Sequence, residues 1–537
     1  MTPRIKPSDF GFDPRKMRQP RGSKGARSAG QLTLMDSPKG ATPTSATACV
    51  PTAHQVRIFD WVALGKGSAV VTAVAGSGKT TTIIMALQHI PPGASALLLA
   101  FNTAIAQELQ RRVPKMVQAK TFHSVGARTL YQRLGKGVEL DSNKVRMLCQ
   151  QTMSKEDYDV YHPAVRRLVG LAKAEGIGVL VPNQAEAWQR LVDRHQIYSD
   201  GGEEDELLKW SREMLDASNE AARTRKLIDF DDQLYLPLLY QLTFPTFDWV
   251  FVDEAQDTNP VRRAFIWGCL APGGRLVAVG DPKQAIYGFT GASPDAMDQL
   301  RQEFHCVELP LTVSFRCPQS VVRLAKQIVP YMEADPGAPE GEVLRWEDSE
   351  DQNQIIEALT PADVILCRNT LPLVTTAYAI LGRGVGCTIA GRDIGQGLIN
   401  LAEQMKAHDI PTLERRLAFY RERESLKLMA KFQEEKAEAL RDRVDSLLCI
   451  IEHLPETRRT VAALREYIKG MFDEREGVLT LSTVHKAKGR EWPTVLIIRH
   501  DLMPASWARQ EWQQVQEQNL MYVAYTRAKA RLIIAED

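Results

Sequence analysis

The sequence lacks a long apolar run and an excess of either charge. No stretch approaches the ~20 apolar residues that cross a bilayer, and the opening segment Met1–Lys6 holds no apolar core of a signal peptide. We therefore expect a cytoplasmic protein without a membrane anchor. The formal net charge of +1 excludes a simple charge-coated nucleic-acid binder, although a basic groove between domains remains compatible with it.

Cysteine is sparse as well. The eight cysteines lie far apart, none forms a Cys-x-x-Cys pair, and no histidine joins them at a zinc-ligand spacing. This pattern favours reduced, mostly buried thiols over a disulfide framework or a zinc cluster.

What is present is an alternation of short apolar runs and helical segments. The 537 residues are enough for three or four domains. Apolar runs at Ala69–Val74, Ala96–Phe101, Trp249–Val252 and Arg275–Val279 predict buried strands. A second alternating region begins at Val307. Because such runs between helices are typical of a parallel sheet covered on both faces, we predict an α/β fold.

The run Ala73–Thr80 has the composition of a phosphate-binding loop. It lies between a predicted strand and a predicted helix, where glycines allow backbone N–H groups to point inward at phosphates. Lys79 would supply positive charge to the β- and γ-phosphates, and Thr80 a hydroxyl ligand for Mg²⁺. Ala73 stands where the general pattern has glycine, so the match is imperfect.

A pair of carboxylates provides the second half of a nucleotide site. Asp253 and Glu254 follow an apolar strand, which places them at the edge where open α/β sheets bind ligands. Asp253 is predicted to hold Mg²⁺ through water, and Glu254 to orient or deprotonate the attacking water. Together with the phosphate loop, the pair predicts hydrolysis of a nucleotide.

From Pro51 onward the chain resembles the UvrD/Rep-like family of superfamily 1 helicases. The resemblance rests on ordered motifs, which are Leu99–Asn102, Thr121–Ser124, Asp229–Asp232, Asp253–Asp257, Val279–Phe289, Ser314–Arg316, Leu481–Trp492 and Tyr522–Lys529. It implies an ATP-dependent DNA helicase, using Mg²⁺, that moves 3′→5′ on single-stranded DNA. The short second insertion resembles compact, phage-type members and the motor region of F-box DNA helicases.

The resemblance also implies the domain organisation. Residues 1–50, rich in Pro, Gly, Ser and Thr, are expected to form a disordered basic tail. Residues 51–128 and 229–306 would form a first RecA-like motor domain with a helical insertion, 1B, at 129–228. Residues 307–392 and 477–537 would form a second RecA-like motor domain with a reduced helical insertion, 2B, at 393–476.

Residue roles are implied in the same way. Catalytic roles fall to Lys79, Asp253, Glu254, Gln284, Arg316 and Arg527. Nucleotide contacts fall to Gln55, Ala75, Gly76, Ser77, Gly78, Lys79, Thr80, Thr81, Tyr287, Phe315, Gly489 and Glu491, and Mg²⁺ contacts to Thr80 and Asp253. DNA contacts fall to Phe101, Asn102, Thr121, His123, Phe289, Thr483 and His485. Alternatively, Phe101 is a core aromatic, His123 orients a loop and His485 links the two sites.

The implied partners are single-stranded and forked DNA, bound by a monomer. In the tail, Gln31–Met35 resembles the short peptide with which bacterial proteins dock on the sliding clamp; a chance apolar patch is the alternative. Three other functions are alternatives to a helicase. They are a translocase that strips proteins from DNA, a nuclease–helicase component with an added acidic metal site, and a scaffold with an inactive ATP site.

Overall fold

The computed structural model describes residues 51–535, apart from residues 101, 196, 198, 200–201, 287–294, 347–355, 357, 431–432, 456–458 and 474. The predicted tail with Gln31–Met35, and the predicted site residues Phe101, Tyr287 and Phe289, lie outside the described residues. None of the described helices is long and apolar enough to cross a membrane. The seven described cysteines are free thiols.

The strands fall into two large sheets and two short pairs. In chain order they are β1 Ala69–Ala73, β2 Ala96–Ala100, β3 Val117–Thr121, β4 Glu139–Leu140, β5 Leu227–Ile228, β6 Phe247–Val252, β7 Leu270–Gly280, β8 Val307–Leu311, β9 Val313–Ser314, β10 Glu333–Ala334, β11 Glu342–Trp346, β12 Val364–Cys367, β13 Cys387–Ala390, β14 Leu479–Thr483, β15 Trp492–Ile497 and β16 Ala528–Ala535.

Helices connect and cover the strands. In chain order they are α1 Ala53–Leu64, α2 Lys79–Ala86, α3 Thr103–Arg112, α4 Phe122–Leu134, α5 Lys144–Thr152, α6 Lys155–Glu175, α7 Ala185–His195, α8 Glu204–Arg225, α9 Asp232–Leu239, α10 Pro260–Cys269, α11 Ala296–Glu303, α12 Gln319–Ala325, α13 Thr370–Gly382, α14 Arg392–Gln404, α15 Ile410–Ala430, α16 Glu434–Glu452, α17 Val461–Met471, α18 Val484–Ala487 and α19 Glu511–Tyr525.

The first sheet is parallel and has the strand order β3-β2-β6-β7-β1-β8. Every residue of the central strand β2 is buried, as expected for a strand covered on both faces. Leu98 packs on one face with Ile83 of α2. Leu97 and Leu99 pack on the other with Phe265 of α10. The predicted strands of this region are therefore confirmed.

The second sheet is also parallel, with the order β11-β16-β15-β12-β14-β13. Its two faces bury separate apolar clusters, one around Leu366 and Val523 and the other around Ile365 and Leu447. Two six-stranded parallel sheets confirm the predicted α/β fold with two RecA-like units.

One predicted boundary is wrong. The sequence predicts that the second motor domain begins at residue 307, but β8 of that segment is hydrogen-bonded to β1, with Ala69 opposite Val307. The first sheet therefore extends to Leu311. The reason is physical: β8 completes the outer edge beyond β1, and its buried residues Leu309 and Leu311 pack into the first sheet's apolar cluster.

The helices between residues 392 and 471 pack directly against the second sheet. Leu413 of α15, Ile450 of α16 and Ile468 of α17 are buried in one cluster with Ile365 of β12 and Leu481 of β14. The reduced insertion therefore shares the core of the second sheet.

The helices between residues 144 and 225 bury an apolar cluster that also includes Tyr235 and Leu236 of α9. A buried group of four charges joins the same helices to the segment Asp229–Asp232. Lys144 Nζ lies 2.6 Å from Asp232 Oδ2, and Lys173 Nζ lies 2.6 Å from Asp229 Oδ2 and 2.7 Å from Asp232 Oδ1. Burial lowers the pKa of Lys144 despite its partner. Burial also opposes the charge of Lys173, but the two carboxylates together raise its pKa.

Substituting Lys173→Met should lower the free energy of unfolding by about 3–5 kcal/mol, because it leaves two buried carboxylates without their shared counter-ion. The measurement is chemical denaturation followed by circular dichroism. Lys209→Met is the matched control, since Lys209 pairs with Glu206 on the exposed face of α8, and it should leave the midpoint unchanged. Equal midpoints for the two variants would show that the buried group is energetically unimportant.

Candidate nucleotide site between the two sheets

The phosphate-binding loop between β1 and α2 has the backbone geometry that its glycines allow. Gly76 and Gly78 have φ angles of 72° and 73°, in the left-handed region that favours glycine. A Cβ atom on Gly76 would lie 2.5 Å from Cβ of Arg316 and 2.7 Å from Oγ of Ser314. Glycine is therefore required here twice, by the backbone conformation and by the approach of the segment after β9.

The two predicted carboxylates lie at the end of β6, beside the phosphate loop. Thr80 Oγ1 donates to Asp253 Oδ2 at 3.1 Å, and Gln256 Nε2 donates to Glu254 Oε2 at 2.6 Å. Burial, with Glu254 nearby, raises the pKa of Asp253 to about 6, and Lys79 acts against that rise. Burial also opposes ionisation of Glu254, but the positive charges of Lys79 and Lys488 hold its pKa below the usual range.

These residues fit a magnesium nucleotide. Magnesium prefers oxygen ligands and is commonly held by one or two carboxylates together with phosphate oxygens, and Thr80 with Asp253 supplies that donor set. Among the described residues, Ser77 Oγ is a buried hydroxyl without a hydrogen-bond partner, and it lies within the phosphate loop. Backbone N–H groups at the start of α2 add the positive end of the helix dipole.

Two residues predicted to contact the nucleotide, Gln55 and Phe315, lie beside the same loop. A Cβ on Gly78 would lie 3.9 Å from Gln55 Nε2 and 4.0 Å from Phe315 Cδ2. Gln55 is buried and donates to Thr82 Oγ1 at 3.0 Å, whereas the Phe315 ring is 41% exposed. Both side chains therefore lie close to Gly78 of the loop. Thr81, next along α2, is exposed.

The two predicted arginines come from the second half of the chain and differ in their partners. Arg316 forms a short ion pair with Glu491, whose other oxygen lies 2.9 Å from Lys529 Nζ. Arg527 is fully buried and donates to the carbonyl oxygens of Val523 and Arg490, at 2.8 and 3.1 Å. Burial and the neighbouring Arg316 lower the pKa of Arg527 to about 10.

The remaining predicted nucleotide residues surround this centre. Gln284 is buried and donates to Asp281 Oδ2 at 2.7 Å. Gly489 has a φ of 83° and open space around its Cα, and Glu491 follows it by two residues. In this structure Glu491 serves as the partner of Arg316 and Lys529, and its pKa is lowered by these cations against the effect of burial.

Several residues that join the two halves were missed at the level of sequence. Lys488 Nζ lies 3.0 and 2.9 Å from the two carboxylate oxygens of Asp257, and both side chains are buried. Tyr522 Oη contacts Asp281, and Asn519 Nδ2 donates to the carbonyl oxygen of Ala285 at 3.2 Å. Lys488 lies inside the motif Leu481–Trp492, and Tyr522 begins the motif Tyr522–Lys529. The family resemblance therefore marks both positions, although neither residue type alone indicates a role.

The predicted DNA contacts that the structure describes lie where strands end. Asn102, Thr121 and Thr483 follow or end β2, β3 and β14, and each caps the next helix through its side-chain oxygen. His123 and His485 each sit in the first turn of such a helix. Burial, with Arg262 and Arg368 respectively, lowers the pKa of each imidazole to about 4. Their contacts with DNA stay predictions.

His123 also lines a basic groove between the helices of residues 144–225 and the first motor domain. The groove has a volume of about 700 Å³. Its walls carry an excess of positive charge, because four arginines (Arg146, Arg166, Arg167 and Arg262) stand against two carboxylates (Asp231 and Asp257). Lys173 also lines the groove, but its charge is paired with Asp229 and Asp232. This uneven distribution explains how a chain with a formal net charge of +1 can present a surface suited to a polyanion.

The sequence matches two family models, the UvrD/REP helicase N-terminal domain over residues 57–305 and the UvrD-like helicase C-terminal domain over residues 394–536. F-box DNA helicase 1 of Gallus gallus is 26% identical over 500 residues, which are 87% of this chain and 47% of the relative. ATP-dependent DNA helicase Rep of Escherichia coli is 25% identical over 292 residues, 49% of this chain and 41% of the relative. DNA helicase II of Haemophilus influenzae is 24% identical over 299 residues, 50% of this chain and 39% of the relative. The chain thus spans about half of the length of these relatives, or less.

Substituting Asp253→Asn should stabilise the protein in a pH-dependent way when Mg²⁺ and nucleotide are absent. A carboxyl whose pKa is raised on folding contributes stability at low pH and loses it as pH rises through the folded pKa. The variant's free energy of unfolding relative to wild type should therefore increase from pH 3.8 to about 6 and stay level above. Denaturant titrations across this range provide the measurement.

Asp248→Asn is the matched control for this experiment. Hydrogen bonds from Ser95 lower the pKa of Asp248, so its stabilising contribution is present at high pH and is lost as pH falls. The control should therefore give a nearly level difference curve between pH 3.8 and 6, and a slope of the opposite sign only as the pH falls below 3.8. A flat difference curve for Asp253→Asn would show that burial does not disfavour this carboxylate.

Proposed function

Because the chain belongs to the UvrD/Rep-like family of superfamily 1 helicases, we propose that it is an ATP-dependent DNA helicase that moves 3′→5′ along single-stranded DNA. The observation that carries the proposal is the shared phosphate site. Lys79 and Asp253 come from the first sheet, and Arg316 of the second half lies against Gly76. A nucleotide bound between Lys79 and Arg316 would contact both motor domains. Its hydrolysis would therefore change the contacts between the two domains.

Each residue of the site has a part in that reaction. Magnesium ATP, when bound, supplies the phosphoryl group that is transferred to water. Lys79 would neutralise phosphate charge, and Thr80 with Asp253 would hold the metal. Glu254 is kept ionised by Lys79 and Lys488, so it can orient an attacking water and accept its proton.

The second motor domain supplies the charge that responds to hydrolysis. Arg316 is paired with Glu491, and a γ-phosphate between the domains competes with that carboxylate for the guanidinium. Arginines in such positions contribute on the order of 10³–10⁵ in rate in other phosphoryl-transfer enzymes. Loss of the γ-phosphate removes the shared anion, and the domains can then separate by a hinge motion. Alternating closure on a bound strand produces steps.

The first prediction from this proposal concerns ATP hydrolysis. Single-stranded DNA should stimulate it strongly, and Lys79→Ala should abolish it at every DNA concentration, because the phosphates lose their principal counter-charge. Lys115→Ala, which changes an exposed lysine after α3, is the control and should retain stimulated hydrolysis. Hydrolysis that ignores DNA would contradict the helicase proposal.

Strand displacement then tests unwinding and direction. A duplex with a 3′ single-stranded tail should be unwound, and one with a 5′ tail should not. If ATP hydrolysis is stimulated by DNA but neither substrate opens, removal of streptavidin from biotinylated DNA distinguishes a translocase that clears proteins from the strand. Displacement from the 5′ tail alone would contradict the proposed direction.

A separate prediction concerns the basic groove. Substituting Arg146→Ala together with Arg166→Ala should weaken binding of single-stranded DNA and make it less dependent on salt. Each lost phosphate contact lowers the slope of log K against log salt by about 0.7, so the pair should lower it by about 1.4. Fluorescence anisotropy at several salt concentrations measures this slope.

Arg212→Ala with Arg225→Ala is the matched control, because these exposed arginines of α8 do not line the groove. The control should keep the wild-type slope. If the groove variant also keeps it, the strand takes another path over the protein.

A further inference from the structure

One hydrogen bond in the site connects the phosphate loop to the opposite motor domain. The backbone N–H of Ala75 donates to Tyr522 Oη at 2.7 Å. Tyr522 lies on α19, in the second half of the chain, and both residues are fully buried. A buried amide N–H needs a partner, because leaving it without one costs much of its lost hydration. Here that partner is supplied by the other domain.

The same hydroxyl also reaches the segment after β7. Tyr522 Oη donates to Asp281 Oδ2 at 3.2 Å, and that carboxylate oxygen accepts from Gln284 Nε2 at 2.7 Å. A phenol has one O–H to donate and can accept as well, and both capacities are used. One hydroxyl therefore connects the phosphate loop, the carboxylate that holds Gln284, and α19.

Packing supports the same connection. Val74 and Ala75, at the start of the phosphate loop, belong to a buried apolar cluster with Tyr522, Val321 and Leu532 of the second half. Their neighbour in sequence, Ala73, packs instead in the cluster of the first sheet. The loop therefore leaves the core of one domain and enters the core of the other within two residues.

We propose that Tyr522 is a positioning residue that makes the binding conformation of the phosphate loop depend on closure of the two motor domains. The inference rests on the proposed function, since it concerns how that nucleotide site is assembled. While α19 covers the loop, Ala75 is held and Gln284 is oriented through Asp281. By linkage, a nucleotide that binds this loop conformation favours domain closure by the same factor.

The test is Tyr522→Phe in the full chain. Phenylalanine keeps the buried ring and removes both hydrogen bonds. With saturating single-stranded DNA, the KM for ATP should rise about tenfold, as expected for the loss of a hydrogen bond to a buried amide. Direct binding of a fluorescent ATP analogue should weaken by a similar factor, and DNA affinity without nucleotide should stay unchanged.

Tyr525→Phe is the matched control. Tyr525 lies one turn further along α19, is equally buried, and its hydroxyl lies 2.8 Å from His500 Nε2 within the second half of the chain. This variant should keep the wild-type KM. Thermal unfolding of both variants measures any general loss of stability.

The outcomes separate the inference from the proposed function. If Tyr522→Phe lowers the unfolding temperature but leaves KM and analogue binding at wild-type values, Tyr522 has only a structural role and the inference is overturned. If the wild type hydrolyses no ATP, the proposed function fails, whereas analogue binding by wild type and variant still decides the inference. Equal weakening in Tyr525→Phe would also overturn it.

Discussion

The phosphate loop lies so close to Arg316 that only glycine fits between them. A Cβ atom added to Gly76 would lie 2.5 Å from Cβ of Arg316, and the carbonyl oxygen of Gly76 accepts from the N–H of Phe315 at 2.9 Å. This approach brings the second half of the chain onto a loop that the first sheet presents. The approach of Gln55 and Phe315 to the loop and the bond to Tyr522 both depend on it, because each needs both halves at this separation.

Charges of both signs meet at the contact. The first motor domain contributes the carboxylates Asp253, Glu254 and Asp257 beside Lys79, whereas the second contributes Arg316 and Lys488 beside Glu491. Buried pairs such as Asp257–Lys488 add little net stability, since desolvation offsets most of their attraction, but breaking one is costly. These pairs therefore favour one relative position of the two motor domains, and a charged ligand that enters the interface changes its energy. A magnesium nucleotide is a ligand of this kind.

Much of this arrangement was predictable because it is local in sequence. Continuous apolar runs such as β2 indicated buried parallel strands, and the glycines and lysine of the loop indicated phosphate binding. The sheet to which β8 belongs was not predictable, since an apolar run has the same appearance in either sheet. The burial of Lys144 and Lys173 was not predictable either, because lysines are almost never buried and their carboxylate partners lie far away in sequence. Pairings of this kind appear only when the chain is folded.

The same local structure occurs at the carboxyl end of a strand in each of the two sheets. In Thr121-Phe122-His123 and in Thr483-Val484-His485, a strand ends at a threonine that caps the next helix, and a histidine lies in the first turn. In both places the threonine hydroxyl is used by the cap, where it accepts from a backbone N–H of the helix. Because burial lowers both histidine pKa values to about 4, these rings are neutral near pH 7 and offer hydrogen bonds without charge. The two strand ends therefore share one electrostatic character, and it differs from that of the basic groove with its four arginines.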